Sequence, residues 1–178
     1  MSTVDTTARL LSGVPVADAV LADVAVRAAA LTERGVTPAL ATILVGDDDA
    51  SAGYIRLKQR QAATLGFASP HVHLPATASQ ADLHAAIDTF NADPSVHAVL
   101  VQHPVPAPLD YDAALQHVDP DKDVDGMHPL NMGRLALGRP GPLPCTPAGR
   151  SSSSAGASRS AGRWLCCSPR SARRPTPP

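Results

Sequence analysis

Residues 39–58 read A-L-A-T-I-L-V-G-D-D-D-A-S-A-G-Y-I-R-L-K, and the change of rhythm inside them decides the fold. Residues 39–46 form a continuous apolar run bounded by Pro38 and Gly46. That is the pattern of a strand buried on both faces. From Ser51 the period becomes helical. At about 100° per residue, Tyr54, Ile55, Lys58, Ala62 and Leu65 share one arc, and Arg56, Gln59, Arg60 and Ala63 lie opposite. Ser51 is read as the N-cap, since its hydroxyl can accept a free N–H of the first turn. Gly66 is read as the stop just past the last turn.

Working outward, the alternation repeats. An alanine-rich amphipathic helix over 16–34, ended by Gly35, precedes the strand. After the Lys58 helix come a strand at 71–74 (H-V-H-L), a helix at 79–91 and a strand at 96–102 (V-H-A-V-L-V-Q). A shorter helix follows at 110–118. Ser79 and Asp82 have capping-box spacing. Strands separated by helical segments predict βαβ units: an α/β fold with a parallel sheet flanked by helices. Ligands of such sheets sit beyond the carboxyl ends of the strands. That rule places the loops after Val45 and Gln102 at the site, with the Lys58 helix starting beside it.

Lys58 is the anomaly of that helix, because it shares the arc of the apolar residues. Burying an unpaired ammonium is costly. Either the amine snorkels at the edge of the core, or it lines a cleft and serves as an acid/base. Tyr54 lies one turn before it and points the same way, as a planar substrate would require. A Schiff-base lysine is a third reading.

Composition bounds the rest. The chain has 178 residues, 44% hydrophobic and only 3% aromatic, so alanine and leucine are expected to do most of the packing. All 16 acidic residues lie at or before Asp125, whereas 150–178 holds six arginines and no acid. That Ser/Arg/Pro-rich segment has almost no aliphatic residue and reads as a disordered basic tail. A nucleic-acid arm is the less favoured alternative, because the arginines are scattered and Trp164 stands alone. The expectations are no nucleic-acid partner, no membrane partner and a cytoplasmic location, since the near-neutral balance, the lack of a long apolar run and the N-terminus M-S-T-V-D-T-T signal none of the alternatives. Cys145, Cys166 and Cys167 do not make a disulfide framework. His71 and His73 share a strand face but lack a third ligand nearby, and read as surface or core histidines. Asp119, Asp121, Asp123 and Asp125 alternate as in a calcium loop, yet the glutamate such a loop needs at its twelfth position is missing. No metal is expected. The stretch 119–135 (D-P-D-K-D-V-D-G-M-H-P-L-N-M-G-R-L) reads as a loop rich in turn chemistry.

Four stretches in order, G-D-D-D-A-S-A-G-Y-x-x-x-K (46–58), V-Q-H-P-V-P (101–106), D-K-D-V-D-G-M-H-P-x-N-x-G-R-L (121–135) and P-C-T-P-A-G (144–149), resemble the bifunctional methylenetetrahydrofolate dehydrogenase/cyclohydrolase family of the bacterial FolD type. The resemblance implies a folate-handling catalytic domain over 1–149. It implies Lys58 as the acid/base, Tyr54 stacked on the aminobenzoyl portion of the substrate, Gln102 hydrogen-bonded to Lys58, and Asp125 anchoring the pterin ring. It also implies two reactions. One is NADP-dependent oxidation of 5,10-methylenetetrahydrofolate; the other is hydrolysis of the methenyl product to 10-formyltetrahydrofolate. The family is usually a homodimer. His103 departs from the aliphatic residue usual there. Gly149 is followed by R-S-S-S-S where the family continues into its NADP-binding Rossmann domain. That domain is therefore expected to be absent, the dehydrogenase step impaired, and 150–178 to be an out-of-frame reading. The alternative is a non-catalytic folate-binding fragment or an unstable gene remnant.

Overall fold

The computed structural model describes residues 12–144. The tail at 150–178, with Trp164, Cys166 and Cys167, and also Cys145 lie outside the described residues. The elements run α1 (Val14–Glu33), β1 (Leu40–Val45), α2 (Asp49–Thr64), β2 (His71–Leu74), α3 (Gln80–Ala92), β3 (Ala98–Val101), α4 (Tyr111–His117) and α5 (Pro129–Ala136). The three strands form one parallel sheet in the order β2-β1-β3. The expected α/β architecture is present. α2 carries the chain from the central strand β1 to the edge strand β2, and α3 carries it across to the other edge at β3.

The central position of β1 follows from its composition. Residues 41–45 are all buried, as a strand covered on both faces must be. Ala41, Ile43 and Val45 point into a core with Leu83, Ile87 and Phe90 of α3 and Val99 and Val101 of β3. Leu44 and Leu100 are buried outside that cluster, and strand alternation puts them on the opposite face. β-Branched residues fill the core as much as alanine and leucine do: Ile43, Val45, Ile87, Val96, Val99, Val101 and Val118 all belong to it. Among the described residues alanine and leucine still supply 10 of the 19 buried hydrophobic side chains, as composition leads one to expect, while the branched ones gather on the pleated sheet surface.

Helix boundaries rest on caps. Gly35 and Gly66 adopt φ of 79° and 75° just past α1 and α2, where a side chain would be strained. Ser79 and Asp82 close the capping box of α3. At α2 the cap differs from the expectation. Asp48, not Ser51, is the N-cap, and its carboxylate accepts from Ser51 N at 2.7 Å. A carboxylate at the positive end of a helix competes better than a hydroxyl. Ser51 is instead buried in the first turn. The 119–135 stretch also differs, because its second half is helical. His128 caps α5 and Pro129 opens it, where a missing N–H costs nothing.

Helices α3 and α4 are tied at both ends by amide side chains. Gln80 donates to Asp110 O and accepts from Asp110 N at the start of α4. Asn91 donates to His117 O and accepts from Asp119 N at its end. No described helix is long and apolar enough to cross a membrane.

Candidate active site at the carboxyl ends of the strands

The site is built where β1 and β3 end. α2 leaves the carboxyl end of β1 and turns Lys58 back over the sheet, while Arg56 and Arg60 on the same helix are exposed. Gln102 is the first residue after β3, and its N–H donates to Ile43 O at 2.8 Å, so the backbone there is an extension of the ladder. Lys58 Nζ donates to Gln102 Oε1 at 3.2 Å. Gln102 Nε2 donates to His103 O at 2.7 Å. These two bonds fix the amide orientation. An ammonium only donates and a carbonyl only accepts, so the reversed amide would lose both. His103, Gln102's neighbour, is exposed and meets the Tyr111 ring edge-on at 4.8 Å between centroids.

Asp125 faces the same region from the loop between α4 and α5. Burial pushes its carboxyl above the usual carboxylate range. Lys58 pulls it back down and Asp123 adds to the rise. Those interactions place Lys58 and Asp123 each within electrostatic reach of Asp125. Tyr111 is a fourth titratable group in the cluster that sequence reasoning did not single out. Its phenol is pushed up to about 12, first by burial and then by Asp125, Asp123 and Asp112. Tyr54, expected to face inward with Lys58, is 61% exposed. Its ring is open to a ligand rather than covered by the chain.

The alternating aspartates do not converge on a point. Asp119 accepts from Asp121 N, and Asp121 lies 3.7 Å from the Arg134 guanidinium. Asp123 is 4% exposed and accepts from Met127 N, His128 N and Asn131 Nδ2. Asp119, Asp121 and Asp123 therefore have separate partners, and no group of three metal-ligating side chains is placed to hold an ion among the described residues. His71 and His73 have local partners in β1 and the loop after it. His71 Nδ1 lies 2.9 Å from Thr42 Oγ1, and His73 Nε2 lies 2.9 Å from Gly46 O.

Gly126 follows Asp125 and packs on the backbone at 142–143. It has φ of 66°, and a Cβ there would lie 3.0 Å from backbone atoms of Pro142 and Leu143. Gly126→Ala therefore meets both a strained dihedral and a backbone clash. We expect a loss of about 2 kcal/mol or more in stability, read as a lower urea midpoint with an unchanged slope. An unchanged midpoint would mean that the 142–143 segment moves away freely.

A dinucleotide phosphate site has a recognisable form: a helix N-terminus with unoccupied N–H groups after a strand. Among the described residues, the helices that follow strands start at Asp48, Ser79 and Asp110. Asp47, Asp48 and Asp49 crowd the first of them, and Asp82 and Asp110 occupy N–H groups at the other two. Carboxylates there repel phosphates. The described residues do not fit NADP.

Comparison with known proteins agrees with this geometry. A model of the tetrahydrofolate dehydrogenase/cyclohydrolase catalytic domain matches residues 11–125. The chain is 68% identical over 149 residues to bifunctional protein FolD 1 of Salinispora tropica, covering 84% of this chain and 49% of the relative. It is 51% identical over 142 residues to bifunctional protein FolD of Syntrophotalea carbinolica, covering 80% of this chain and 49% of that one. Among solved structures, the bifunctional FolD enzyme of Campylobacter jejuni superposes with a TM-score of 0.77 at 39% identity, over 81% of this chain and 51% of that one. The Trypanosoma brucei enzyme, solved with NADP cofactor and an inhibitor, gives 0.75 at 35% identity, over 81% and 50%. The chain thus spans about half the length of the curated relatives it matches. With the strand-end pairing of Lys58 and Gln102 and the matched catalytic-domain model together, the chain belongs to the tetrahydrofolate dehydrogenase/cyclohydrolase family.

Proposed function

We propose that residues 12–144 form a tetrahydrofolate site whose chemistry is the hydrolysis of the methenyl bridge. The observation that carries this reading is the Lys58–Gln102 contact beside the half-buried Asp125 carboxyl. A pterin edge offers paired N–H donors, and a carboxyl held away from water is suited to accept them. The exposed Tyr54 ring provides a surface on which the aminobenzoyl group stacks.

Hydrolysis requires water to add to the carbon of the bridge and lose a proton. The added hydroxyl then loses its remaining proton to solvent and becomes the formyl carbonyl, while the bond from that carbon to one ring nitrogen breaks and the nitrogen keeps the electron pair and gains a proton. Lys58 takes the proton from the adding water and returns it to the leaving nitrogen, passing between amine and ammonium. Gln102 holds the amine in place by accepting its N–H in the ammonium state. The oxidation of the methylene bridge needs a hydride acceptor. The helix starts among the described residues, occupied by carboxylates, offer no place for the phosphates of NADP.

The test of binding is a thermal melt in tetrahydrofolate. A ligand that binds only the folded chain at 100 times its Kd stabilises by about 2.7 kcal/mol, so the midpoint is expected to climb with concentration. A flat midpoint overturns the reading. A non-catalytic folate-binding module is the second reading, favoured by the openness of the site at Tyr54. It predicts the same melt with no hydrolysis of 5,10-methenyltetrahydrofolate above the solution rate.

A further inference from the structure

The loop that carries Asp125 is held from a distance by one side chain. Lys122 Nζ donates to Phe90 O at 2.8 Å, Asn91 O at 2.8 Å and Asp93 O at 2.7 Å. An ammonium has three donors, and all three are spent on carbonyls at the end of α3, which have no partner within the helix. The backbone of the same residue is also fixed, because Val99 N donates to Lys122 O at 2.8 Å. Asp123 continues the line in a parallel bridge with Val99 on the outer edge of β3. Beyond it, Asn131 is 0% exposed and donates to both Pro120 O and Asp123 Oδ2. Asp125 follows two residues later, with no side-chain hydrogen bond of its own among those described. Its place is dictated by the anchors before it.

We propose that Lys122 is the positioning residue for Asp125, fastening the loop 119–126 to the carboxyl end of α3 so that the carboxyl stays near Lys58. The geometry is a helix-terminus lock. The three carbonyls of α3 attract a cation, and the only freedom left to the loop lies past Asp123. The consequence for substrate rests on the folate reading above; the positional claim does not.

The experiment follows Asp125 by carboxyl-carbon NMR as pH is varied, in the parent, Lys122→Met and Lys122→Arg. Freed from its lock, Asp125 becomes wetter in Lys122→Met, and its titration moves down toward that of an ordinary aspartate. Lys122→Arg keeps a cation over the carbonyls and restores the parent midpoint. Should Lys122→Met not fold, Lys122→Gln, which still offers two N–H donors, takes its place under the same criteria. In parallel, tetrahydrofolate affinity falls about tenfold or more in Lys122→Met, and the fall disappears when Asp125 is already Asn. An Asp125 titration that does not move in a folded Lys122 variant overturns the proposal. So does an affinity loss of equal size in both Asp125 backgrounds. If the titration moves as expected while neither parent nor variant binds tetrahydrofolate, the lock stands and the folate reading falls.

Discussion

Lys58→Met is expected to reduce hydrolysis of 5,10-methenyltetrahydrofolate by about 10²- to 10⁴-fold, the range removed with a general acid/base. The substitution is close to a deletion of the amine alone. Methionine keeps an unbranched stem of similar length, so the packing of the half-buried stem along α2 is retained while the contact with Gln102 Oε1 is lost. The fold is expected to survive, because the contact lies at the edge of the core rather than within the Ile43–Leu83–Ile87 cluster. The measurement is the decay of the methenyl absorbance in parent and variant at equal concentration, with melting curves of both. Equal rates would remove Lys58 from the chemistry. A parent rate equal to that of buffer alone would leave the site as a binding module.

Asp125→Asn should act in opposite directions on ligand and fold. The carboxylate that accepts the pterin N–H donors is lost, and the amide turns an N–H toward one of them. Exchanging a charged hydrogen bond in this way costs about 1.5–3 kcal/mol, or roughly 10- to 100-fold in tetrahydrofolate affinity. Stability should change the other way. Burial raises the folded-state pKa of Asp125 despite the pull of Lys58. The native chain therefore holds this proton more tightly than the unfolded chain. The carboxyl costs nothing below the unfolded value, and its penalty grows as pH rises through the window above about 4 toward the raised folded value. The asparagine variant should melt higher than the parent at pH 7, and the two curves should converge as the pH falls below that window. A lower midpoint for the variant at pH 7 would mean that the ionised carboxylate is net stabilising. A residue that weakens the fold while serving a ligand is the usual cost of a binding site.

Much of this arrangement can be read from local chemistry. The apolar run at 40–45 specifies the central strand, and Gly35 and Gly66 specify two helix ends, because each need is met within a few residues. The wheel of α2 separates Lys58 from Arg56 and Arg60, and their exposures separate in the same way. What escapes such a reading is tertiary or competitive. Asp48 and Ser51 are both acceptable caps, and only the backbone at Asp48, φ −68° and ψ 113°, chooses between them. The density of Asp, Gly and Pro in 119–135 suggests turns throughout, yet His128 and Pro129 together carry a helix-start signal within it. Lys122 among aspartates looks like a counter-ion for its neighbours. Its true partners lie 29 to 32 residues earlier, and no spacing rule reaches that far.

The amine and the amide that meet at the strand ends are 44 residues apart in the chain. They cannot come together until β3 has docked alongside β1, a pairing that closes a longer loop than that of β1 with β2. A small molecule that needs both groups has nothing to grip on a half-built chain. It can delay the escape of the finished molecule from its native basin, but it cannot hasten arrival there.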